Sequence, residues 1–547
     1  MKLRVPNEMM NQILENADTN EKDKKRLKLY LSKWSSEKGY SIVDSDEFEI
    51  TLFNKLQEML DKIDKKDSKH HYLKRQLKLL YNILDNPSGA VPTSLENLES
   101  VLQVYMKNTK DSIIFSKQEE NFYPYLVTSI QYVPSSPYSS ASVDINVKFI
   151  EFDETKEEKI KIYKRDIIGG KTTKQILDDL QLYLSNESLI KDYEEELEVY
   201  KKYKEMVGKQ FLGGGRGIIQ STWGNDTIIP LEIDGIKSKL IVDIYQNEDY
   251  KGRIKYNNPE KLEVLHKMDG RDYRIPIHPN LFCFNLNSHE YIKVHASNLE
   301  VYKYNPNLIN KLVLPQEDKS LIDILIDGTK DIMEDIVKGK TGGIIVITTG
   351  VPGTGKTLTA EVYSEVVKKP LYVVQSSQLG VEIKELENNL KKILDRASRW
   401  NAILLIDEAD VYVHERGDDL VQNAVVGVFL RVLEYYKGIL FMTSNRETVI
   451  DDAILSRATA HIRYEFPNEE LSKKIWKVLS KQFKIELSEE EINKIYKNFG
   501  DIPGRDIKSL VKLARLLAKR ENKNVDCELL KYVSKFLDIR EGKRKSK

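Results

Sequence analysis

The stretch from Gly343 to Val367, GIIVITTGVPGTGKTLTAEVYSEVV, decides the fold of the C-terminal half of this 547-residue sequence. It begins with a short aliphatic run, as in strands that are buried on both faces, and ends in a helical pattern. Between the two, GVPGTGKT at Gly350 to Thr357 matches the spacing G-x-x-x-x-G-K-[ST]. Such glycines let successive backbone N–H groups converge on phosphate oxygens at the start of a helix. The stretch therefore predicts a strand, a phosphate-binding loop and a helix.

Two side chains of this loop carry specific expectations. Lys356 should contact the β- and γ-phosphates of a nucleotide, and the Thr357 hydroxyl should ligate Mg²⁺. The expected ligands of the nucleotide and its metal ion are Gly350, Val351, Pro352, Gly353, Thr354, Gly355, Lys356, Thr357, Leu358 and Asp407.

A second element, ILLIDE at Ile403 to Glu408, is an aliphatic strand that ends in two carboxylates. Because side chains alternate along a strand, Asp407 and Glu408 should lie on different sides of its end. Asp407 would then hold Mg²⁺ through water, and Glu408 would orient and polarise an attacking water. A pair of helix-capping acids after a buried strand is the structural alternative. It is less favoured at a position roughly fifty residues downstream of a phosphate loop.

The pattern of elements predicts an α/β fold for residues 314–467, in which helices cover both faces of a parallel sheet. Residues 468–547 carry only helical patterns, which predicts a helical lid followed by a basic tail at Arg540 to Lys547. The tail alone, as a solvated terminus, carries no functional prediction.

The N-terminal part divides into three predicted regions. Residues 1–118 have helical periodicity. Residues 119–212 combine a β-hairpin, which has a long polar loop, with a charged helix. Residues 213–313 hold several short strands, which suggests a small barrel or sandwich.

Composition makes some functions less favoured. The 85 basic and 85 acidic side chains cancel, whereas proteins that neutralise many phosphates of a nucleic acid usually carry a basic surface. No apolar run reaches the roughly eighteen residues that a membrane span needs. The two cysteines, Cys283 and Cys527, lie far apart and have no metal-ligand spacing. We therefore expect a cytoplasmic protein without a membrane partner, and nucleic acid is possible but not favoured.

With the two nucleotide motifs in place, residues 315–520 resemble the AAA+ ATPase superfamily, and its AAA subgroup in particular. The family keeps a sensor asparagine at the end of a strand, and TSNR places Asn445 there, where it would position the water beside Glu408. DDAILSR, which ends at Arg457, looks like the arginine-finger segment. IPGRD resembles a second sensor turn, with Arg505 directed at the γ-phosphate.

The finger reading implies an oligomer. A guanidinium that stabilises charge on the transferring phosphate of a neighbouring subunit leaves a lone subunit incomplete. The resemblance implies a ring, in this family a hexamer. Many AAA members have a second arginine three residues after the first, and this sequence has Ala460 at that position. The variant with a single Ser-Arg resembles an AAA branch with long N-terminal regions. A surface ion pair is the alternative for Arg457.

Two further features bear on function. Threading members of the family place an aromatic residue on the loop after the second strand, whereas this sequence has Gln378-Leu379-Gly380. Leu379 could still make weaker contacts with a polypeptide. His278, His289 and His295 lie near one another, but strand-surface histidines are more common than a zinc site with this spacing.

The leading hypothesis is an ATP- and Mg²⁺-dependent ATPase ring that remodels or disassembles a protein client presented by the N-terminal region. A nucleic-acid motor or loader is one alternative. A nucleotide-controlled assembly switch that recruits an effector is the other.

Overall fold

The computed structural model describes residues 2–6, 11, 40–44, 92, 94–107, 111–220, 226–243, 264–268, 271–328, 343–380, 382–415, 420–434, 436–445, 450–537 and 539. Most of the predicted helical region before residue 92, Arg446 and the basic tail lie outside these residues. In the described part of the chain, no helix is long and apolar enough to cross a membrane.

The first elements are β1 (Lys2–Pro6), β2 (Tyr40–Asp44) and α1 (Leu95–Lys107). The strands β1 and β2 pair with each other in antiparallel fashion. Helix α1 places Leu95, Leu98, Leu102 and Met106 at three- and four-residue spacing, and these side chains are buried against the following sheet.

Five antiparallel strands form that N-terminal sheet: β3 (Ile113–Gln118), β4 (Asn121–Val133), β5 (Ser142–Glu151), β6 (Glu154–Tyr163) and β7 (Leu182–Leu184). Their spatial order is β6-β5-β4-β3-β7. The hairpin predicted from sequence is the long pair β4 and β5. Helices α2 (Thr173–Asp179) and α3 (Glu187–Lys204) flank β7 in the chain.

Two regions differ from the sequence prediction. The helical prediction for residues 1–118 is wrong over Lys2–Pro6 and Tyr40–Asp44, which pair with each other as strands, and over Ile113–Gln118, which forms the strand β3 between β4 and β7. The charged helix expected within residues 119–212 is divided into α2 and α3 by Leu182–Leu184, which pairs with β3. Tertiary strand pairing outweighs local propensity at these places.

The next sheet has eight strands: β8 (Gln210–Gly213), β9 (Arg216–Ile219), β10 (Thr227–Pro230), β11 (Glu232–Ile233), β12 (Ile236–Val242), β15 (Asn280–Asn285), β16 (Tyr291–His295) and β17 (Leu299–Val301). The separate hairpin is β13 (Leu265–Met268) with β14 (Arg271–Arg274). Seven of the eight strands lie in the order β10-β9-β16-β15-β12-β8-β17, and β11 pairs with β12. Because β10 and β17 are two different edge strands, the described strands form an open sheet and the barrel expectation is wrong. Strand β8 also begins before the expected boundary at residue 213.

The two sheets share a buried polar junction. Ile150 of β5 bridges Ile277, and its N–H donates to the Pro276 carbonyl over 2.8 Å. The buried Glu151 carboxylate accepts hydrogen bonds from Asn280 at 2.9 Å and Lys293 at 3.1 Å. These contacts fasten the N-terminal sheet to the eight-stranded sheet.

The C-terminal part begins with α4 (Gln316–Gly328) and contains a five-stranded parallel sheet: β18 (Ile344–Gly350), β19 (Leu371–Gln375), β20 (Ile403–Asp407), β21 (Ile439–Ser444) and β22 (Ala460–Tyr464). The order is β19-β20-β21-β18-β22. The intervening helices are α5 (Lys356–Val367), α6 (Ile383–Arg399), α7 (Asp410–Val413), α8 (Leu420–Leu433) and α9 (Asp452–Leu455). This arrangement is the α/β fold predicted from the aliphatic strands. The carboxyl ends of its strands form the edge at which ligands bind in open α/β sheets.

The lid consists of α10 (Glu469–Gln482), α11 (Glu489–Phe499), α12 (Gly504–Glu521) and α13 (Cys527–Ser534). Its core centres on Trp476 and Phe499, which are both fully buried. The helical prediction for this segment is therefore correct across the described residues.

The eight-stranded sheet packs directly on the α/β domain. Phe284 of β15 lies 4.9 Å from the Trp400 ring and 5.6 Å from the Tyr372 ring, and all three side chains belong to one buried cluster. The buried Asp243 carboxylate accepts a hydrogen bond from Arg399 at 3.0 Å. The N-terminal region and the α/β domain thus share a hydrophobic core.

Candidate functional site

The loop between β18 and α5 has the conformation that its glycines allow. Gly350 has a φ of +127°, and a Cβ there would lie 2.0 Å from the carbonyl oxygen of Tyr464 on the adjacent strand β22. Gly353 has a φ of +84°. L-residues with a side chain rarely adopt such angles. Glycine is therefore required at both positions if the loop is to keep this path.

Lys356 is the first residue of α5, and its side chain folds back into the phosphate loop that precedes the helix. Its side chain is buried, and Nζ donates hydrogen bonds to the carbonyl oxygens of Gly350 at 2.7 Å and Val351 at 2.9 Å. A buried ammonium needs such acceptors. Phosphate oxygens in the loop would offer the same ammonium stronger, charged acceptors.

Thr357 and Asp407 meet at the carboxyl edge of the sheet. The Thr357 hydroxyl donates to Oδ1 of Asp407 over 3.1 Å. A hydroxyl and a carboxylate beside a phosphate loop are oxygen ligands of the type that Mg²⁺ prefers. These two residues fit a magnesium ion, which when bound would neutralise charge on the phosphates.

Glu408 lies just beyond the end of β20. It is exposed, and its φ of +56° is in the left-handed region. The expectation that strand alternation places Asp407 and Glu408 on different sides is therefore wrong, because Glu408 is not part of the strand. The strand ends at Asp407, and a left-handed turn sets the direction of Glu408.

Asn445 follows β21, the strand beside β20. Its backbone N–H donates to Oδ1 of Asp410 over 3.1 Å, and the Ser444 hydroxyl donates to the same oxygen. Asp410 therefore fixes the turn that presents Asn445. Strands β20 and β21 are neighbours in the sheet, so Glu408 and Asn445 each follow the carboxyl end of one of two adjacent strands.

Arg505 lies at the first turn of α12, against the phosphate loop. Its backbone N–H donates to the Gly353 carbonyl over 3.1 Å, and its side chain is exposed. The lid segment predicted to approach the nucleotide is thus in contact with the loop.

Arg457 lies apart from these residues. Its Nη2 is 3.6 Å from a carboxylate oxygen of Glu434, beyond the end of α8, and both side chains are about one-third exposed (35% and 36%). This is the surface ion pair weighed as the alternative to a finger, and it involves no residue of the chain's own phosphate loop.

A protein-family model matches the part of the chain that contains this site. Residues 346–466 match the model of the ATPase family associated with various cellular activities, AAA. The chain contains an AAA+ ATPase domain. The matched stretch runs from β18 to the residues just after β22, and it includes the phosphate loop, the acid pair, Asn445 and Arg457.

Curated relatives match a little over a third of the chain. An ATP-dependent zinc metalloprotease FtsH of Syntrophotalea carbinolica is 28% identical over 230 residues, which is 38% of this chain and 34% of that protein. A 26S proteasome regulatory subunit homolog of Methanothermobacter thermautotrophicus is 26% identical over 198 residues, or 34% of this chain and 53% of that protein. The chain thus spans about a third to a half of the length of these curated relatives.

A solved structure, the E. coli MS115-1 HORMA:CdnC:Trip13 complex, contains a chain that is 19% identical to this one. The match covers 42% of this chain and 91% of that chain, with a TM-score of 0.34.

The loop after β19 of the AAA domain is held against the protein. Leu379 is fully buried, so the expected contact of its side chain with a polypeptide does not fit this conformation. The Tyr412 hydroxyl lies 2.9 Å from the carbonyl oxygens of Ser376 and Gly380 and can donate to either. Asn389 donates to the Leu379 carbonyl over 3.3 Å.

The three histidines do not lie on strand surfaces as expected. His278 and His295 are buried, and both rings contact that of Tyr123, at 5.0 and 5.4 Å. His289 contacts Phe284 and Tyr372 near the AAA domain. In the described part of the chain, no group of three or more His, Cys, Asp or Glu residues is arranged to hold a metal ion.

Two residues of the site, Asp410 and Thr443, were not predicted from the sequence. Asp410 lies two residues after Glu408, and Thr443 is the first residue of the TSNR stretch that contains Asn445. Their roles depend on which oxygen each hydroxyl or carboxylate reaches, and sequence spacing does not show that.

Proposed function

We propose that this chain hydrolyses ATP with Mg²⁺ as a subunit of a ring, and that the ATP cycle remodels or disassembles a protein client presented by the N-terminal region. In this proposal Glu408 polarises the attacking water, Asn445 orients it, and Arg505 contacts the γ-phosphate. Arg457 acts on the nucleotide of the neighbouring subunit. A hexamer is the assembly that the family implies, and the cytoplasm is the expected compartment.

The observation that carries this proposal is the attachment of the N-terminal region to the phosphate-loop helix. Helix α5 begins at Lys356, and near its other end the buried Glu365 carboxylate accepts hydrogen bonds from the Tyr302 hydroxyl and, at 2.8 Å, from the Asn305 backbone N–H. Tyr302 directly follows β17. A displacement of the loop on nucleotide binding would therefore reach the eight-stranded sheet through one rigid helix of about 18 Å.

A second connection runs through α6. Arg396 lies over the rings of Phe284 and Tyr291, at 5.0 and 5.4 Å, and Arg399 binds Asp243. The helix is strongly amphipathic, and its apolar face is buried in the AAA domain. We propose that residues 119–313 move with the AAA domain as one unit, because the two N-terminal sheets are also bonded to each other.

The assembly switch is the second candidate, and the loop after β19 favours it. Residues 376–380, the described part of this loop, present no apolar side chain with which to pull an extended polypeptide, because Leu379 is buried and the backbone carbonyls are held by Tyr412 and Asn389. A switch needs only a nucleotide-dependent change of assembly, with an effector bound by the N-terminal region. No contact in the described residues favours a nucleic-acid motor.

The test is to express Glu408→Gln in its native host, keep it in ATP, purify it gently and identify what copurifies. This variant should bind ATP and hydrolyse it very slowly, which holds the assembly with its client. Lys356→Ala, which should not bind nucleotide, is the matched control. A protein that is present with Glu408→Gln, absent with Lys356→Ala and released on hydrolysis by the wild type supports remodelling.

Other results separate the alternatives. An ATP-dependent assembly that retains no client, with slow turnover that no polymer stimulates, supports the switch. Recovered nucleic acid, together with turnover that DNA or RNA stimulates, would replace both proposals with a motor. A wild-type chain that binds no ATP would refute all three.

A further inference from the structure

Thr443 lies on β21, next to the carboxyl end of β20. Strands β20 and β21 are paired as far as Ile406 and Met442, and Thr443 is the next residue of β21. Its side chain is buried. The next three residues after Ile406 are all bonded to this one threonine.

The three bonds differ in kind. The Thr443 carbonyl accepts the backbone N–H of Ala409 at 2.9 Å. Its hydroxyl oxygen accepts the backbone N–H of Glu408 at 3.0 Å. The same hydroxyl donates its proton to Oδ1 of Asp407. One O–H group therefore acts as acceptor for one acidic residue and as donor to the other, which uses its single proton.

These bonds restrain the backbone conformation of Glu408 and the rotation of the Asp407 carboxylate. Glu408 has a left-handed φ of +56°, a conformation that persists in a non-glycine residue only where its surroundings enforce it. The bond from its N–H to Thr443 is one such enforcement. Oδ1 of Asp407 receives two hydroxyl donors, Thr443 and Thr357, and this fixes the rotation of its carboxylate.

We propose that Thr443 is a positioning residue for ATP hydrolysis, which sets the directions of Asp407 and Glu408 relative to the phosphate loop. The inference rests on the proposed ATPase function of the site. In this proposal Thr443 acts through Asp407 and Glu408, to which its hydroxyl is bonded. Its loss should therefore lower the rate of the chemical step and weaken activation by Mg²⁺, while ATP binding through Lys356 and the loop is retained.

The chain offers a matched control on the neighbouring strand. Thr348 of β18 is the register partner of Thr443, is also buried, and donates its hydroxyl to the Met442 carbonyl over 3.2 Å. Replacing either threonine with valine removes one buried hydroxyl and keeps the β-branched shape. Only the change at Thr443 removes bonds to the acidic residues.

The experiment compares Thr443→Val, Thr443→Ser and Thr348→Val in the full-length chain with the wild type. It measures kcat, KM, the Mg²⁺ concentration for half-maximal rate, and the affinity for a non-hydrolysable ATP analogue. We expect Thr443→Val to lower kcat about 10- to 100-fold and to raise the Mg²⁺ requirement. Its analogue affinity should stay within about threefold. Thr443→Ser and Thr348→Val should stay within about threefold in every quantity.

Unchanged kcat in Thr443→Val would overturn the inference while leaving the ATPase proposal intact. So would an equal loss in Thr443→Ser, which would point to packing of the methyl group, or an equal loss in Thr348→Val. A wild-type chain without ATP turnover would overturn the proposed function and this inference with it.

Discussion

Arg505 donates its backbone N–H to the carbonyl oxygen of Gly353 over 3.1 Å, and this bond joins the helical lid to the phosphate loop. The two residues are also packed together, because a Cβ on Gly353 would lie 2.8 Å from Cβ of Arg505. The lid and the loop must therefore move together or separate at this contact. Nucleotide affinity and lid position should be coupled here.

Gly353→Ala should lower ATP affinity at least about tenfold. The substitution strains a residue with a φ of +84° and pushes Arg505 away from the loop. A fluorescent ATP analogue titrated at equilibrium measures the effect. Gly427→Ala is the control, since this exposed helical glycine in α8 has no neighbour within 4 Å. It should leave affinity unchanged and stabilise the protein by about 0.5–1 kcal/mol. Equal affinities in both variants would contradict the coupling.

Arg457→Ala should bind ATP normally and lose turnover by about 10³-fold, the lower end of the range for arginine fingers. Its pair with Glu434 is too exposed to matter for stability, being worth about 0–1 kcal/mol. Thermal unfolding should therefore barely change. Glu434→Ala removes the same ion pair and keeps the guanidinium, so it should retain turnover.

The same variant tests whether the finger acts between subunits. Lys356→Ala subunits cannot bind nucleotide in this proposal but keep Arg457. Mixing them with Arg457→Ala subunits should restore part of the ATPase rate. If the mixture stays as inactive as the two variants alone, Arg457 does not act on a neighbouring subunit.

The sequence predicted the AAA domain well because its signals are local. A phosphate loop needs glycines at fixed spacing, and strands that are buried on both faces need aliphatic runs such as ILLID at Ile403–Asp407. The phosphate loop, the acid pair and the strand that precedes Asn445 all lie where these patterns indicated.

Other features depend on contacts between distant segments. Ile113–Gln118 is a strand because β4 and β7 lie on either side of it, and His278 is buried because Phe149 stacks on it at 4.0 Å. Leu379 was expected at a surface loop, but it is buried in the same hydrophobic cluster as Leu386 and Leu390 of α6. No local pattern encodes these positions, since each depends on what another part of the chain places there.

Asp243→Asn should destabilise the junction between the eight-stranded sheet and the AAA domain. The Asp243 side chain is fully buried against Arg399, and breaking a buried charge pair costs about 3–5 kcal/mol. Because the two regions share a core, calorimetry of the wild type should show them unfolding in one transition. The variant should lower the temperature of that transition or split it in two.

Asp395→Asn is the control for this prediction. Asp395 binds the other side of the same guanidinium at 2.6 Å, but its side chain is 70% exposed. The variant should therefore shift stability by less than about 1 kcal/mol. Equal shifts in the two variants would mean that the buried pair does not hold the junction.

The contribution of His278 to stability should fall with acidification below about pH 6.5. Burial lowers the pKa of His278 to about 3, below the value of 6.5 for an exposed histidine, and its Nε2 lies 3.0 Å from the Pro124 carbonyl. The unfolded chain therefore binds one more proton than the folded chain between these values. The contribution is fully present above pH 6.5 and is lost as the pH falls towards 3, by up to about 1.4 kcal/mol per pH unit. Glu151 does not add to this slope until below about pH 4.5, because Lys293 and Lys156 outweigh its burial and lower its pKa to about 2.

Thermal unfolding of the wild type and His278→Phe between pH 7.5 and 5 isolates the contribution of this histidine. The variant should be less stable at pH 7.5, since the Pro124 carbonyl loses its donor, but its slope should be shallower by about one proton. Parallel slopes in the two proteins would show that His278 does not carry the acid sensitivity.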